Sequence, residues 1–388
     1  MRVLAGLAAV VVLVVTALSV LTTLVVPRRT ESRFAVAVMK SVRRPFTAVA
    51  TRSSSYLFRD RLLAPVAPLA LIVLLVSWLL AFLVGYGLAI FAVTHLTLGT
   101  ALREAGSSLF TLGFASPDRT RLTALDFAAA MTGPVVIGLQ IGYLPALYSA
   151  YNRRETEVTL LGARAGEPNW GPEILARHAM IRAVDTLPTL FTQWERWAAE
   201  VSESHTNYPV LLFFRSQEAT RSWLVALVAV MDAAALQVSC APEMAQGPAR
   251  LALRMGFSCL RAIASTLRIP HDVDPDPDGP VALTREEFDA GLARMDAQGF
   301  PRTRPDDEAW VHFRGWRVNY EEIAYTLATI VEAVPAPWTG TRSGHLAPLP
   351  VVSPLNRVPG GGVTTPGSVL PTVTPPSAAA PGGSTTPE

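Results

Sequence analysis

Apolar positions along the chain are concentrated in three long runs that carry almost no charge. The runs cover residues 3–26, 62–93 and about 125–150, and the first two contain no charged residue. A helix needs about 20 residues to cross a hydrocarbon core of about 30 Å, so each run is long enough to span a bilayer. The pattern therefore predicts an all-α membrane protein with three transmembrane helices.

A fourth apolar stretch, residues 223–238, is shorter and is interrupted by Asp232. Its longest uninterrupted part is too short to cross a bilayer. We therefore interpret it as a buried helix of a domain outside the membrane.

The second half of the chain predicts one helical domain followed by a flexible tail. Apolar residues recur at helical spacing through residues 168–334, and Thr284 with Glu287 matches a capping box at a helix start. Residues 335–388 are rich in Pro, Gly, Thr and Ser, a composition that buries too little surface to fold. The predicted organisation is a first helix with a basic loop (1–61), a membrane module (62–155), a helical domain (168–334) and a disordered tail (335–388).

Basic residues predict how the chain is oriented in the membrane. The segment 27–61 contains nine basic residues and two acidic ones, whereas few basic residues separate the second and third runs. Arginine and lysine near span ends favour the cytoplasmic side of a membrane. We therefore expect a protein of the plasma membrane whose N-terminus is external and whose helical domain is cytosolic. A cleaved signal peptide at residues 1–26 is the alternative, but it would export the basic segment.

Composition and motifs exclude several functional classes. Half of the residues are hydrophobic and 16% are charged, below the roughly 25% of a soluble domain. Lys40 is the only lysine among 33 basic residues, a bias typical of a high-GC bacterial genome. The histidines lack zinc spacing, and neither a phosphate-binding glycine motif nor a catalytic acid–base pair is present. We therefore predict no enzyme, no cofactor, no metal site and no nucleic-acid partner.

Residues 96–117, between the second and third runs, are too short to cross the bilayer and unusually apolar for an exposed loop. About four helical turns lead into the sequence Thr111-Leu112-Gly113-Phe114. Backbone at membrane depth is tolerated only where protein or a water-filled cavity surrounds it. The segment is therefore predicted to be a re-entrant helix followed by a loop.

This order of span, short helix, Thr-x-Gly-aromatic sequence and span resembles the pore region of the potassium-channel-like family with two spans and one pore loop. The resemblance covers about residues 62–155 and implies a homotetramer that conducts monovalent cations, with membrane lipids around it. In such a filter, rings of backbone carbonyls replace the water around the cation. The filter residues that the resemblance implies are Thr111, Leu112, Gly113, Phe114 and Ala115.

Two positions of this filter depend on backbone chemistry. Successive carbonyls can face one axis only if some residues adopt a left-handed backbone conformation. This conformation has a low free-energy cost only for glycine, so we expect Gly113 to adopt it. Phe114 stands where the family usually has tyrosine, and Ala115 replaces the family's second filter glycine. Strict potassium selectivity does not follow from this sequence.

The third run carries the features of an inner, pore-lining helix. Gly133 and Pro134 allow a bend, because proline removes one backbone hydrogen bond. Gly138 and Gly142 form a small-residue face for close helix approach, and Gln140 is the polar side chain in the middle of the run. Gating and plain helix packing explain these five residues equally well.

Two functions of different classes remain. The first is a tetrameric cation channel, potentially permeable to potassium and gated by the cytosolic domain. The second is a non-conducting membrane anchor, a scaffold or sensor that descends from a channel and presents the helical domain.

Overall fold

The computed structural model of the protein describes residues 1–26, 32–114, 123–339 and 348–352. These residues form thirteen α-helices and two short 3₁₀ turns, and the described chain contains one isolated β-bridge. The helices are α1 Arg2–Leu24, α2 Arg33–Ala50, α3 Tyr56–Leu63, α4 Val66–Val93, α5 Leu98–Leu109, α6 Thr123–Ala165, α7 Gly171–Met180, α8 Leu187–Asn207, α9 Trp223–Cys240, α10 Gln246–Thr266, α11 Arg285–Asp296, α12 Asp306–Arg317 and α13 Glu321–Val331. The prediction of an all-α protein is confirmed at this level.

Among the described residues, helices long and apolar enough to cross a membrane occur in four places, at α1, α3 with α4, α6 and α9. All 18 residues of α9 are buried within the protein, as the sequence predicts for this stretch. Asp232 in α9 accepts hydrogen bonds from Arg317 Nη1 at 2.5 Å and from the Tyr320 hydroxyl at 2.7 Å. Asp232 is therefore paired inside the protein, and α9 lies in the core of the helical domain. The three-span topology remains a prediction.

Helix α1 packs antiparallel to α4 along most of its length. At one end, Arg2 donates to the carbonyl of Thr94, just after α4. Near the other end, Trp78 Nε1 donates to Ser19 Oγ at 3.0 Å. Gly85 of α4 lies close to α1, because a Cβ there would lie 2.7 Å from the side chain of Leu13, which would have to shift. Helix α1 is therefore packed against the rest of the helical bundle at both of its ends.

The described part of the basic segment, residues 32–61, contains the helix α2 and most of α3 rather than a loop alone. Ser32 and Ser55 act as N-caps, their side chains accepting from the backbone N–H groups of Ala35 and Phe58. Helix α2 packs against α4, and α3 contributes Tyr56 to the main core of the helical domain. The sequence analysis interpreted this segment by its charge and missed the repeat of Phe34, Val38, Val42 and Phe46 at helical spacing in α2.

Helix α6 is 43 residues long and continues well beyond the third apolar run. At 1.5 Å per residue it extends about 65 Å. Its C-terminal part enters the main core of the helical domain through Val158, Leu161 and Ala165. The same helix therefore belongs to both the membrane module and the helical domain.

The helical domain extends past both boundaries expected from the sequence. Its core includes the end of α6 before residue 168, and it includes Ala336 and Trp338 after residue 335. Glu167 and Val352 pair through backbone hydrogen bonds in the β-bridge. The expected capping box of Thr284 and Glu287 is confirmed, and α12 is a helix that the sequence analysis did not predict. The remaining tail positions, 340–347 and 353–388, lie outside the described residues.

Candidate pore segment and its coupling to the helical domain

Helix α5 is the short helix that the sequence predicts between two long apolar helices. Its 12 residues extend about 18 Å, less than the roughly 30 Å of a hydrocarbon core. Thr97 starts it as N-cap, accepting from the N–H of Thr100 at 3.3 Å. One face, with Ala101, Ala105 and Leu109, is buried in the same cluster as residues of α4 and α6.

Two glycines allow α5 to lie close against its neighbours. A Cβ at Gly87 of α4 would lie 2.5 Å from Leu102. A Cβ at Gly133 of α6 would lie 2.0 Å from the carbonyl oxygen of Leu109, the last residue of α5. The carbonyl end of α5 therefore rests directly on the backbone of α6.

Helix α5 ends in a Schellman motif. The N–H of Leu112 donates to the carbonyl of Ser107 at 2.8 Å, and the N–H of Thr111 donates to Ser108 at 3.0 Å. Thr111 has φ 56°, the left-handed conformation that this motif requires and that glycine usually supplies. A threonine in that conformation costs about 1–2 kcal/mol. Thr111 therefore terminates the helix, a role that the sequence analysis did not assign.

Gly113 has φ 70°, so the left-handed backbone expected at this position is present. A Cβ there would meet nothing within 4 Å. The neighbouring side chains are also open, with Leu112 62% and Phe114 56% exposed in the single chain. The Arg103 guanidinium lies 5.3 Å from the centre of the Phe114 ring, so this ring contacts the outer surface of α5. Ala115, the last predicted filter residue, lies outside the described residues.

Polar groups behind α5 form a second feature that the sequence analysis did not assign. Ser108 Oγ donates to Asp126 Oδ1 at 3.0 Å, which joins α5 to the first turn of α6. Glu104 is buried, and its Oε1 has no hydrogen-bond partner among the described residues. The position of Asp126, an acidic residue at the start of an apolar run, was the feature of the sequence that could have indicated this contact.

The five inner-helix residues predicted from the sequence lie on two different faces of α6. Gly133 and Gln140 belong to the buried face, which recurs every three or four residues from Ala129 to Ala165. Pro134, Gly138 and Gly142 are exposed in the single chain. Neither Gly138 nor Gly142 has an atom within 4 Å of an added Cβ, so the expected close helix approach does not occur within one chain.

Gln140 points towards the chain's own bundle and is 4% exposed. Its Oε1 atom has no hydrogen-bond partner among the described residues. A polar group in the middle of an apolar run needs a partner or water, and the described part of the chain supplies no partner for that oxygen.

Arg154 joins α6 to the helical domain where the apolar part of α6 ends. Its guanidinium is buried and donates to the carbonyls of Leu211 and Phe214, both at 2.8 Å. It also bonds Glu155 at 2.8 Å and His205 Nε2 at 3.1 Å. The 3₁₀ turn Pro209–Phe213, whose carbonyls are part of this network, packs between α4 and α6.

His205 is fully buried, and its imidazole is held in a neutral form. Burial lowers the pKa of His205 well below its ordinary value, and the nearby charge of Arg154 lowers it further. Two other polar residues near it in the sequence, Glu203 and Arg215, are not among the hydrogen-bond partners of His205. Glu203 is exposed, and Arg215 instead contacts Asp60 and Tyr56 of α3.

The chain matches no protein-family model, no curated protein and no solved structure. What the fold establishes is an all-α protein with several helices that are long and apolar enough to cross a membrane.

Proposed function

We propose that this protein is a cation channel in which four copies surround a central pore. The observation that carries the proposal is α5, a helix too short to span a membrane, held between two long apolar helices and followed by a left-handed, exposed loop. A loop of this kind at membrane depth needs other protein or water around it, which neighbouring copies and a pore would supply.

The chemistry of conduction would come from backbone groups of residues 111–114. Carbonyls from four chains would replace the water around a monovalent cation, potentially potassium. The negative end of the α5 dipole would favour a cation near Leu109. The exposed face of α6, with Pro134, Gly138 and Gly142, would face the pore or a neighbouring copy, while Gly133 and Gln140 face the chain's own bundle.

Gating would act through α6 and the Arg154 network. The helix reaches from Gly133, on which α5 rests, to Ala165 in the core of the helical domain. A rearrangement of the domain would therefore move the helix that supports the pore segment. In this proposal the helical domain is cytosolic and the membrane is the plasma membrane.

A second function, a non-conducting anchor that presents the helical domain, is favoured by the end of α5. The Schellman motif accounts for the left-handed Thr111 through bonds to Ser107 and Ser108, with no ion required. In this case the exposed residues Leu112 and Phe114 would pack against lipid or another protein.

Current recordings of the purified protein in planar bilayers distinguish the two functions. We expect cation currents from the natural chain and loss of current in Gly113→Ala, because alanine disfavours the left-handed backbone by about 1–2 kcal/mol in each chain. Gly299→Ala is the matched control, since Gly299 has φ 73° and equally open surroundings but lies in the helical domain. A natural chain without current favours the anchor, and current that survives Gly113→Ala unchanged would contradict conduction through residues 111–114.

A further inference from the structure

A large cavity lies where the membrane module meets the helical domain. Its volume is about 570 Å³, within the usual size range of small-molecule sites. It is bordered by the end of α1, by α2, by the first part of α4, by the 3₁₀ turn Pro209–Phe213 and by the end of α10. Because α1 ends and α4 begins here, the cavity lies at the depth of a membrane surface.

The charges around the cavity all have the same sign. Arg33, Lys40, Arg43 and Arg268 line it, and its described lining contains no carboxylate. Arg43 is already engaged, since it donates to the carbonyl of Ile330 and lies over the Phe213 ring at 4.8 Å. The other three are exposed and form no ion pair with a described residue. Three cations without a counter-charge favour an anionic ligand.

Much of the remaining lining of the cavity is apolar. It includes Ala70, Leu71 and Leu74 of α4, Met39 of α2 and Phe213. Hydroxyl groups of Thr22, Thr23 and Ser32 lie at the end of α1, and the Thr23 hydroxyl has no hydrogen-bond partner among the described residues. The ligand therefore needs a negative head and a long apolar part.

We propose that this cavity binds an anionic phospholipid. The phosphate would lie among Arg33, Lys40 and Arg268, and an acyl chain would follow the wall formed by α4. Basic pockets at helix ends on the cytoplasmic side are the places where anionic headgroups bind membrane proteins. A free inorganic anion would leave the apolar wall in water, and a zwitterionic lipid would leave the cations without a counter-charge.

The bound lipid would connect the two parts of the protein. The cavity is lined by α2 and α4 on one side and by Phe213, Leu267 and Arg268 of the helical domain on the other. Lipid binding would therefore stabilise the contact between the helical domain and the helices α2 and α4. This inference does not depend on ion conduction and applies equally to a channel and to an anchor.

The test measures lipid binding to the purified full chain in mild detergent by native mass spectrometry. The probes are dioleoyl phosphatidylglycerol, dioleoyl phosphatidylcholine with the same chains, and inorganic phosphate. The cavity variant is Arg33→Gln/Lys40→Gln/Arg268→Gln. The matched control is Arg44→Gln/Arg52→Gln/Arg61→Gln, which removes three exposed charges from α2, α3 and the segment between them, none of which lines the cavity.

We expect the natural chain to bind phosphatidylglycerol in preference to phosphatidylcholine. The cavity variant should bind phosphatidylglycerol about tenfold or more weakly, while the control should stay within about twofold of the natural chain. Equal binding of the two lipids, equal losses in both variants, or inorganic phosphate that displaces the lipid would each overturn the proposal.

A single substitution separates a binding effect from a folding effect. Arg268 has φ 57° at the end of α10, a conformation that glycine adopts without strain. Arg268→Gly should therefore raise the melting temperature of the lipid-free protein while it weakens phosphatidylglycerol binding. A variant that is more stable and binds this lipid as well as the natural chain would contradict the site.

Discussion

The missing side chain of Gly133 lets the carbonyl end of α5 rest on α6. We expect Gly133→Ala to destabilise the protein by about 3 kcal/mol or more, because its Cβ would lie 2.0 Å from a backbone oxygen that no side-chain rotation can move. The measurement is thermal unfolding in detergent.

Gly138→Ala is the control for that substitution. Gly138 lies in the same helix and has no atom within 4 Å of an added Cβ. Alanine should therefore leave stability unchanged or raise it by up to about 1 kcal/mol. Equal effects of the two substitutions would contradict the close packing of α5 on α6.

Residue identity predicted some local conformations but few contacts. The left-handed backbone of Gly113 was predictable, because glycine is the residue that adopts this conformation at the lowest free-energy cost. Gly133 and Gly138 look alike in the sequence, yet one is packed and the other is open. Which face of α6 is buried depends on where α4 and α5 lie, and that arrangement is not encoded in the spacing of small residues.

At the scale of single elements, one buried guanidinium joins α6 to the carbonyls of Leu211 and Phe214, before the end of α6 enters the core of the helical domain. We expect Arg154→Met to lower the free energy of unfolding by about 3 kcal/mol, because Glu155 and the carbonyls of Leu211 and Phe214 lose a buried partner. Limited proteolysis should cut the variant faster near the turn Pro209–Phe213.

The adjacent Arg153 provides the control for Arg154→Met. It is 61% exposed, and its contact with Glu200 is 4.0 Å long. Arg153→Met should change stability by no more than about 0.5 kcal/mol, because exposed ion pairs contribute little. Similar losses in both variants would show that the Arg154 network does not fix the domain.

His205 should make the stability of this junction depend on pH. Its pKa is lowered in the folded protein, whereas the unfolded chain binds a proton near the ordinary value of 6.5. Stability should therefore fall as the pH drops below about 6.5, by up to about 1.4 kcal/mol per pH unit. Burial also lowers the pKa of His178, which adds to the same slope.

The contribution of His205 is measured by denaturant unfolding between about pH 7 and pH 5. His205→Gln should reduce the slope in this range, with the remainder due to His178. An unchanged slope in the variant would contradict the assignment of this pH dependence to His205.

Long apolar elements were predictable, and strongly charged elements were not. Helix α9 lies within two residues of the expected stretch 223–238, and the capping box located the start of α11. Helices α2, α3 and α12 were missed because these segments were interpreted by their charge, although α2 repeats Phe34, Val38, Val42 and Phe46 at helical spacing. Asp232 shortened the predicted apolar stretch in α9, yet Arg317 neutralises it from a helix 85 residues away in the sequence.

At the scale of the whole molecule, the proposed pore requires four copies. We expect the purified protein in mild detergent to have a protein mass of four times the 41.7 kDa chain. The reason is that residues 111–114 and the Gly138 face of α6 are left open by the chain's own contacts. Light scattering after size-exclusion chromatography measures this mass, and a stable monomer would contradict the pore.

The boundaries between the parts of the molecule were the least predictable feature. The sequence suggested a membrane module that ends near residue 155 and a domain that begins near 168, yet the core of the domain includes α3 and the end of α6. Trp338, beyond the expected end of the domain, is buried in its core. Composition marks where a chain becomes polar, but it does not mark which distant side chains meet.

A continuous α6 gives the molecule a lever. Over about 65 Å, a tilt of about 5° at one end displaces the other end by about 6 Å, roughly one helical turn. The two internal prolines, Pro134 and Pro145, are the places where such a tilt could be absorbed. The bend of α6 at these prolines would determine how far a movement of the helical domain displaces Gly133, on which Leu109 of α5 rests.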